Sequence, residues 1–393
     1  MNAVGIVAEY DPFHLGHSYH IAQTRRLLGE NVPVVCVMSG SWRQRGECAL
    51  TDKWTRAELA LRGGADLVLE LPLPWAVSSA EGFARGAVEL LKSAGVVDTL
   101  SFGSESGEGE ALKALASTLE SAEYRKALRT ELDKGVSFAA AREKAAEKCV
   151  GKAAHLLRGA NDSLGVEYLR AAGDELGYVT VKRKGVSHDS VCPADGFASA
   201  TLVRRLIRAG EWAAAEEWLP EGSVKRLQTA GIADMKNVER AFLAQLRSMR
   251  EEDFAALPDS GAAEGLPARL VKAAGKAEDL EAFYTQAKTK RYAHARIRRL
   301  ALWAFLGLTA ADRGDRPEYL RVLGMNGRGK VLLREMKKKA SLPVLTKPAR
   351  IRELGEAAQA LFAMECRGTD LFGLCFDKAK PCGMDYTTGP VII

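Results

Sequence analysis

Residues 3–28 read AVGIVAEYDPFHLGHSYHIAQTRRLL and decide the fold of this chain. The apolar run Ala3–Ala8 predicts a short buried strand, and the apolar spacing over His17–Leu28 predicts an amphipathic helix. Between them lies a turn that ends in His14-Leu15-Gly16-His17. A helix N-terminus offers unpaired N–H groups and a partial positive charge. The segment therefore predicts a strand–loop–helix phosphate site.

The two imidazoles of this motif add hydrogen-bond donors that point at the same anion. Capping or core histidines are the alternative interpretation of His14 and His17. A metal site is a further alternative, because His14, His17 and His20 fall at a spacing of three residues. No H-E-x-x-H motif accompanies them, and His14 precedes the helix. We therefore favour the phosphate site and assign no metal.

The composition of the 393 residues, with 47% hydrophobic and 27% charged residues, is that of an ordinary soluble globular protein. Its length favours two or three domains. No apolar run approaches the roughly 18 residues that span a bilayer, and no secretory signal pattern opens the chain. We therefore expect a cytoplasmic protein without a membrane partner. Seven scattered cysteines form no C-x-x-C pair and predict reduced thiols: Cys36, Cys48, Cys149, Cys192, Cys366, Cys375 and Cys382.

Strand and helix signals alternate over the first two hundred residues. The predicted strands are Ala3–Ala8, Val32–Met38, Leu67–Leu71, Thr99–Gly103 and Tyr178–Lys182. The predicted helices between them are His17–Leu28, Lys53–Gly63, Ala80–Ala94 and Asn161–Ala171. This order predicts an α/β fold, a parallel sheet wrapped by helices, with ligands at the carboxyl ends of the strands.

The chain divides, by this pattern, into two parts. Residues 1–210 form the predicted catalytic domain, with a helical insertion at about 109–157. After about Glu211 the strand signals nearly vanish, so residues 211–393 form a predicted, mainly helical second domain with a C-terminal tail. A loose segment at Leu257–Pro267 predicts a flexible connection within it.

Positive charge is concentrated in the later part of the chain. Lys288–Arg350 holds 17 Lys and Arg against 4 Asp and Glu, so its excess of +13 exceeds the +6 of the whole chain. Aromatic residues are interleaved with these charges. Such a block suits a phosphate backbone, although a solvated helical face is the plainer alternative.

Five further segments carry polar residues at predicted strand or helix ends. Met38–Glu47 is interpreted as a ligand loop or as a solvated loop with one buried Trp. Asn161–Gly165 is interpreted as a helix cap or as part of a ligand site. The segments are Met38–Glu47, Phe102–Glu105, Asn161–Gly165, Lys182–Gly185 and Phe197–Arg204. In the last, Ser199 and Thr201 precede a helix and Arg204 follows one turn later, which predicts a second anion cradle. A triphosphate between two helix N-termini is the expected ligand.

HLGH at 14–17 and SATLVR at 199–204 resemble the HIGH-type nucleotidylyltransferases. Longer motifs resemble the bacterial tRNA(Met) cytidine acetate ligases of that type: GIVAEYDPFHLGH at 5–17, MSGSWRQRGE at 38–47, DKWTR at 52–56 and SFGSESG at 101–107. KTKRY at 288–292, RVLG at 321–324 and SLP at 341–343 extend the resemblance over nearly the full chain. The resemblance implies a Rossmann-like parallel sheet of the HIGH type.

That family implies two steps: acetate and ATP give acetyl-adenylate and diphosphate, and N4 of the wobble cytidine in the anticodon of elongator methionine tRNA takes the acetyl group. His14 and His17 would be catalytic. By resemblance the ATP contacts would be Val7, Ala8, Glu9, Tyr10, Asp11, Pro12, Phe13, His14, Leu15, Gly16, His17, Ser18, Tyr19, His20, Gly103, Asn161 and Arg183. We add Ser199, Thr201 and Arg204 from the second cradle.

The tRNA contacts expected from the basic block are Lys288, Lys290, Arg291, Arg296, Arg328, Lys330, Lys337, Lys338 and Lys339. The family usually has Asn where this chain has Asp11, and a Mg²⁺ ion accompanying ATP is expected to offset that charge. Two other classes fit part of the pattern. A small-molecule nucleotidylyltransferase of coenzyme metabolism leaves the basic block unexplained, and a noncatalytic RNA-binding protein leaves the two anion cradles unexplained.

Overall fold

The computed structural model describes residues 2–184 and 196–393. One mixed sheet organises it, with strands in the order β5-β4-β1-β2-β3-β6-β7 and β8 paired to β6. The strands are β1 Ala3–Ala8, β2 Val34–Ser39, β3 Leu67–Leu71, β4 Val97–Ser104, β5 Gly177–Lys182, β6 Leu320–Met325, β7 Val344–Leu345 and β8 Val391–Ile392. The first five are parallel to one another, which confirms the five predicted strands.

The carboxyl end of β1 lies at a topological switch point, because the chain runs from β1 to β2 and β3 on one side and then crosses to β4 on the other side of β1. In open α/β sheets such a point leaves a crevice between the neighbouring loops. β2 and β3 are buried along their whole length, as expected for strands covered on both faces. The order of the strands thus places a crevice directly beyond Ala8.

Helices cover both faces of this sheet. Within the described residues they are α1 Leu15–Leu28, α2 Lys53–Arg62, α3 Leu73–Ala76, α4 Ala80–Ser93, α5 Gly109–Leu119, α6 Ala122–Leu132, α7 Phe138–Val150, α8 Ala160–Ala172, α9 Ala200–Arg208, α10 Trp212–Glu216, α11 Ser223–Ala230, α12 Glu239–Ser248, α13 Glu251–Ala255, α14 Leu266–Lys276, α15 Leu280–Ala287, α16 His294–Leu306, α17 Gly327–Lys339, α18 Glu356–Phe372 and α19 Met384–Thr387. Among them, none has the length and apolar character needed to cross a bilayer.

The two faces have separate cores. α4 and α8 pack on one face, where Phe83, Leu91 and Tyr168 join Leu100 and Phe102 of β4. On the other face, α1, α2 and α9 contribute to a core with Ile6 of β1. We call these the α4/α8 face and the α1/α9 face. The predicted insertion is helical throughout, as α5, α6, α7 and the 3-10 turn Gly151–Arg158.

The predicted parallel sheet is confirmed for β1–β5, but strands from the later part of the chain extend it at one side. β6 pairs antiparallel with β3, and β7 and β8 pair with β6, so residues far beyond 210 extend the sheet of the first part. The apolar pattern of β6 is interrupted by Arg321, whose charge is neutralised by buried partners. The division at residues 210 and 211 stays a prediction, and the sheet crosses it.

A third core lies in the helices after residue 232 and reaches back to the loop that follows β2. Phe242 and Phe305 stack in it with ring centroids 3.9 Å apart, and Trp42 packs against both. The indole of Trp42 donates to Gly368 O at 2.8 Å, and that of Trp303 donates to Val77 O at 2.9 Å. These buried indoles anchor the helical part to the sheet.

Five ionisable side chains meet in the interior where α2, β3, β6, α18 and α19 converge. Lys53 Nζ lies 2.6 Å from both Glu70 Oε1 and Asp385 Oδ1, and Arg321 Nη1 lies 2.6 Å from Asp385 Oδ1. Arg321 also contacts Glu365 at 3.4 Å. All five side chains are at least 96% buried. Removal of one partner would leave an uncompensated buried charge.

Lys53→Met is therefore expected to lower the free energy of unfolding by about 3–5 kcal/mol, because Glu70 and Asp385 keep their charges without the ammonium. Urea denaturation followed by circular dichroism measures the loss. Lys338→Met is the control, since Lys338 is exposed and pairs only with Glu335. Equal stability of the two variants would contradict a structural role for the buried cluster.

The six cysteines in the described ranges carry no disulfide, in agreement with the predicted reduced thiols. Cys192 lies outside the described residues. Gly185, at the end of the predicted Lys182–Gly185 segment, also lies outside them.

Candidate functional site

A cavity of about 250 Å³ opens beyond the carboxyl ends of β1, β4 and β5. It brings together segments that the sequence analysis chose separately. The predicted residues that line it are Val7, Ala8, Glu9, Tyr10, Asp11, His14, Gly16, His17, Tyr19, His20, Gly103, Asn161, Arg183, Ser199 and Arg204. Pro12, Phe13, Leu15, Ser18 and Thr201 do not line it.

His14 and His17 form a capping box at the start of α1. Gly16 N–H donates to His14 Nδ1 at 3.0 Å, and His14 N–H donates to His17 Nδ1 at 3.2 Å. Each Nδ1 is therefore an acceptor, and in a neutral imidazole the proton then resides on Nε2. The rings lie with centroids 3.8 Å apart. The backbone thus fixes two imidazole N–H donors of the same tautomer at the cavity.

The first backbone amides of α1 are already engaged, which corrects one part of the sequence argument. Leu15 N–H donates to Trp218 O at 2.9 Å, and His17 N–H donates to His14 O at 2.8 Å. Gly16 N–H is taken by the His14 ring. Anion binding at this end of α1 therefore depends on the imidazoles and the helix dipole rather than on open amides.

His20 has a different hydrogen-bond partner from His14 and His17, which bond backbone amides of the helix cap. Its Nε2 lies 3.0 Å from Ser101 Oγ, which also bonds Thr24 Oγ1. Burial, together with the charge of Arg183, lowers the pKa of His20 to about 4, so the ring is neutral. No cluster of three metal-ligating side chains occurs in the described ranges 2–184 and 196–393. The three-histidine metal alternative is wrong there.

Asp11 is a buried carboxylate that joins three segments. Its Oδ1 accepts Leu50 N–H at 2.6 Å, and its Oδ2 lies 3.0 Å from Arg43 Nε and 3.8 Å from Arg204 Nη1. Burial alone would raise the pKa of Asp11, but the charges of Arg43, Arg204 and Arg56 lower it below its ordinary value. Asp11 is therefore ionised and neutralised by arginines of the protein.

The second predicted cradle, at the start of α9, is assembled differently from the prediction. Ser199 Oγ caps α9 by accepting Leu202 N–H at 3.0 Å. Arg204 Nη1 donates to Asp11 O at 2.7 Å, and its Nη2 donates to Thr201 Oγ1 at 3.1 Å. Burial, assisted by Arg43, lowers the pKa of Arg204 to about 10, so it stays charged near neutral pH. Arg204 thus binds the turn at Asp11 and also lines the cavity. Thr201 does not line the cavity but accepts a hydrogen bond from Arg204.

The carboxylate of Glu105 lies at the N-terminus of α8. Glu105 Oε1 accepts Asn161 N–H at 3.0 Å and the Asn161 side-chain amide at 2.6 Å, and Glu105 Oε2 accepts Asp162 N–H at 2.7 Å. Asp162 in return accepts Ser106 N–H at 3.1 Å. The capping interpretation of Asn161–Gly165 is wrong, because α8 begins at Ala160 and a carboxylate from the loop after β4, that of Glu105, accepts its first amides. Asn161 nevertheless faces the cavity.

The loop after β2 contributes both to the core and to the cavity. Trp42 is fully buried, as the plainer alternative for Met38–Glu47 proposed. Its neighbour Arg43 pairs with Asp11 and Glu47, whereas Gln44 and Arg45 line the cavity. Gln44 N–H donates to Glu9 Oε1 at 2.8 Å, which fixes this loop to the turn after β1.

The charge of the cavity wall favours anions. Among the described lining residues, cationic side chains outnumber carboxylates, of which there are two, Glu9 and Asp11. The cations are Arg43, Arg45, Arg183, Lys184 and Arg204. Lys184 also lies over the Tyr19 ring at 5.5 Å. A ligand with several negative charges fits this wall.

The cavity wall also has an apolar part, which the predicted site residues do not include. Phe83 of α4, Phe102 of β4, and Leu164 and Tyr168 of α8 line the cavity. Leu164 and Tyr168 are four residues apart and so share one face of α8. That spacing is present in the sequence, but it equally describes a core face. Only the fold shows that this face turns toward the site.

Comparisons with known proteins agree with this site. A family profile described as HIGH Nucleotidyl Transferase matches residues 1–385. A protein of Caldanaerobacter subterraneus subsp. tengcongensis named tRNA(Met) cytidine acetate ligase is 37% identical, and the alignment covers 98% of both chains. One of Thermoanaerobacter sp. with the same name is 36% identical, again over 98% of both. The chain belongs to the HIGH nucleotidyl transferase family, among the tRNA(Met) cytidine acetate ligases.

Solved structures from this family have the same fold. The structure of Thermotoga maritima TmcAL in the apo form I superimposes with a TM-score of 0.94 at 33% identity, and each chain is covered completely. The form II structure, which is bound with alpha-thio ATP, superimposes with a TM-score of 0.91 at 34% identity, again with complete coverage of both chains. The predicted HIGH-type fold is thereby confirmed.

In this ligase-family chain the basic block does not form one surface. α16 lies beside the loop after β2, where Arg298 Nη1 pairs with Glu47 Oε1 at 2.9 Å. α17 lies at the opposite edge of the parallel strands, because its cap Asn326 donates to Asp66, which precedes β3. At its other end, Ser341 N–H donates to Ser93 O, shortly before β4. Segments that are continuous in sequence thus lie at the two ends of the sheet.

Several predicted tRNA-contact side chains already have protein partners. Arg296 donates to Asp259 O at 2.9 Å, Arg291 lies 3.8 Å from Glu264, and Lys338 lies 2.9 Å from Glu335. Arg328 donates to Asn31 Oδ1 at 3.2 Å. Lys288, Lys290, Lys330, Lys337 and Lys339 are exposed.

Arg204→Ala is expected to weaken ATP binding about ten-fold, because the turn at Asp11 loses a charge-assisted hydrogen bond and the cavity loses a cation. Isothermal titration calorimetry measures the affinity. Arg205→Ala, which removes an exposed arginine from the next position of α9, is the matched control. An Arg204 variant that binds ATP as tightly as the Arg205 variant would show that Arg204 has no part in the site.

Proposed function

We propose that this chain is an ATP-dependent tRNA(Met) cytidine acetate ligase, which forms acetyl-adenylate and transfers the acetyl group to N4 of the wobble cytidine of elongator methionine tRNA. One observation carries the proposal: a cation-rich cavity at the carboxyl edge holds two imidazoles in one fixed tautomer, in a chain similar over its whole length to ligases of that name. A structural neighbour bound with alpha-thio ATP supports ATP as the nucleotide.

In the first step a carboxylate oxygen of acetate attacks the α-phosphorus of ATP. The bond from that phosphorus to the oxygen bridging the β-phosphorus breaks, and diphosphate leaves with the electron pair. Negative charge grows on the phosphate oxygens, where the Nε2–H groups of His14 and His17 can donate. Preorganised donors of this kind are typically worth roughly 10²–10³ in rate each.

Acetate needs no general base, because a carboxylate is already ionised at neutral pH. In the second step the cytidine N4 amine attacks the acetyl carbon, the carbon–oxygen bond to AMP breaks, and the amine loses one proton. No covalent enzyme intermediate is required. The cations Arg183 and Lys184 at the cavity are placed to hold the outer phosphates during the first step.

The expected Mg²⁺ is not bound by a protein cage in this proposal. The Asp11 carboxylate is occupied by Leu50 N–H and Arg43. Glu9 is the other carboxylate among the described lining residues, so the donor set does not fit a dedicated magnesium site. The arginines, rather than a metal ion, offset the charge of Asp11.

The tRNA is proposed to approach along the segment that leads into α16. Lys288, Lys290 and Arg291 precede this helix, and Arg298 within it pairs with the loop whose Arg45 lines the cavity. A wobble base must reach that cavity, so the near segment is the better anchor for the anticodon. A tRNA substrate also implies the cytoplasm as the place of reaction.

The two rival functions make different predictions. A nucleotidylyltransferase of coenzyme metabolism would exchange ATP and diphosphate with a phosphorylated small molecule rather than with acetate. A noncatalytic RNA-binding protein would show no exchange with any acid. Acetate-dependent ATP–diphosphate exchange without tRNA therefore separates the proposal from both.

His14→Ala and His17→Ala are each expected to reduce acetate-dependent ATP–diphosphate exchange at least a hundred-fold, because each removes one phosphate-directed donor. Affinity for tRNA should stay within a few fold of that of the unaltered protein. His155→Ala, on the surface of the insertion, is the control and should keep full exchange. Wild-type exchange rates in both motif variants would refute the catalytic assignment.

Replacement of Lys288, Lys290 and Arg291 together by Ala should flatten the salt dependence of tRNA binding. Each neutralised phosphate contributes a slope of about −0.7 to −0.9 in log K against log salt, so up to about three units would be lost. Filter binding over a range of salt concentrations measures the slope.

The matched comparison is the triple Ala variant of Lys337, Lys338 and Lys339, which lie on the α17 side. Its slope should change less, and exchange without tRNA should survive in both variants. A larger loss of slope on the α17 side would place the tRNA at the opposite edge of the sheet and contradict the proposed path.

A further inference from the structure

The cavity extends across both faces of the sheet, and the adenylation groups use only one of them. His20 bonds Ser101 of β4, so α1 and its histidines lie on the α1/α9 face. The neighbouring Phe102 points to the α4/α8 face, as strand alternation requires. Phe83, Phe102, Leu164 and Tyr168 form a recess on that second face, which we call the apolar recess.

Tyr168 carries the polar group of the apolar recess. It is 4% exposed, and its ring meets Phe102 edge-on with centroids 6.0 Å apart. Phe102 is itself fixed against α8, since a Cβ at Gly165 would lie 2.5 Å from its ring. The Tyr168 hydroxyl has no hydrogen-bond partner within residues 2–184 and 196–393. Tyr168 lines the cavity, so its hydroxyl is available to a ligand there.

The hydroxyl is a donor at any ordinary pH. Burial raises the pKa of Tyr168 far above its usual value, and the charge of Glu9 raises it further. Tyr168 and Glu9 of the turn after β1 line the same cavity, as do the groups that would hold the α-phosphate. A protonated phenol can donate to a carboxylate oxygen, and charge-assisted bonds of this kind are among the stronger ones.

We propose that the apolar recess is the carboxylic-acid subsite of the adenylation reaction: the Tyr168 hydroxyl donates to the acid's carboxylate, and Leu164 and Phe102 enclose its methyl group and so limit its length. This inference rests on the proposed function and specifies where its acid binds. Tyr168 then contacts a substrate directly, whereas Leu164 determines which acids fit.

The geometry of substitution at phosphorus supports this placement. The attacking and leaving oxygens lie roughly in line on opposite sides of the phosphorus atom. If diphosphate departs on the face that carries His14 and His17, the acid must attack from the other face. The apolar recess lies on that face, beside Asn161 of α8, and it offers one hydroxyl within an apolar lining. A short acid with one carboxylate matches that chemistry.

Tyr168→Phe tests the proposed hydrogen bond without removal of the ring. In ATP–diphosphate exchange the KM for acetate should rise about ten-fold, because one hydrogen bond to a charged group is lost, while the KM for ATP should stay within two-fold. A change confined to thermal stability, or an equal change in both KM values, would indicate a structural role and overturn the assignment.

Leu164→Ala tests the proposed limit on length. The ratio of kcat/KM for propionate to that for acetate should rise at least ten-fold, since one methylene in a fitted pocket is typically worth about 10–200-fold. The control is Val181→Ala, which also shortens a cavity-lining side chain. Val181 pairs with Gly103 on the α1/α9 face, so it should leave the ratio unchanged.

The outcomes separate this inference from the proposed function. If the unaltered protein exchanges with acetate but Tyr168→Phe keeps its KM and Leu164→Ala keeps its acid ratio, the subsite is wrong and the ligase activity stands. A ratio that changes equally in Leu164→Ala and Val181→Ala also overturns the subsite. If no carboxylic acid supports exchange in the unaltered protein, the proposed function fails first.

Discussion

The buried carboxylate of Asp11 is the interaction on which the site depends. It accepts Leu50 N–H, pairs with Arg43 and lies near Arg204, so one charge ties the turn after β1 to the loop after β2 and to α9. Arg43 also forms an ion pair with Glu47, and Glu47 in turn pairs with Arg298 of α16. Removal of the Asp11 carboxylate would take one buried counter-charge from Arg43 and Arg204, which is costly in a protein interior. Asp11 therefore holds Arg43 and Arg204 in position at the cavity.

The sequence predicted the first half of the sheet because its physical signals are local. Five apolar runs with helix patterns between them predict five parallel strands, and the motif HLGH follows the carboxyl end of the first. β6 was missed because Arg321 interrupts its apolar pattern, and the partners that neutralise it, Glu70 and Asp385, are far away in sequence. Ion pairs between distant segments leave no local periodicity.

The site shows the same division between local and distant information. The sequence motifs identified most of the predicted cavity residues correctly. The hydrogen-bond and ion-pair partners of these residues could not be deduced from their spacing. Arg204 was expected to hold phosphates and instead donates first to the backbone at Asp11. The amides of α1 are occupied by Trp218 O and the His14 ring. Tyr168 gave no signal, since the face of α8 that meets the cavity depends on the packing of α4 and β4.

A two-sided cavity explains how one protein can hold three substrates in sequence. The α1/α9 face offers hydrogen-bond donors and cations for a polyphosphate. The α4/α8 face offers the Tyr168 hydroxyl within an apolar lining. α16, with the basic segment that precedes it, lies beside the loop after β2. Each of the three substrates is therefore matched by protein groups that suit its charge. The α17 lysines lie at the far edge of the sheet and do not line this cavity.

The most direct test of this account follows oxygen from acetate during complete turnover with ATP and elongator methionine tRNA. With acetate labelled by ¹⁸O in both carboxylate oxygens, attack at the α-phosphorus predicts AMP that carries one ¹⁸O atom and diphosphate that carries none. The acetylated cytidine should retain the other labelled oxygen. Mass spectrometry of the products gives the answer. Label in inorganic phosphate, or AMP without label, would contradict an acetyl-adenylate formed between the histidines and the apolar recess.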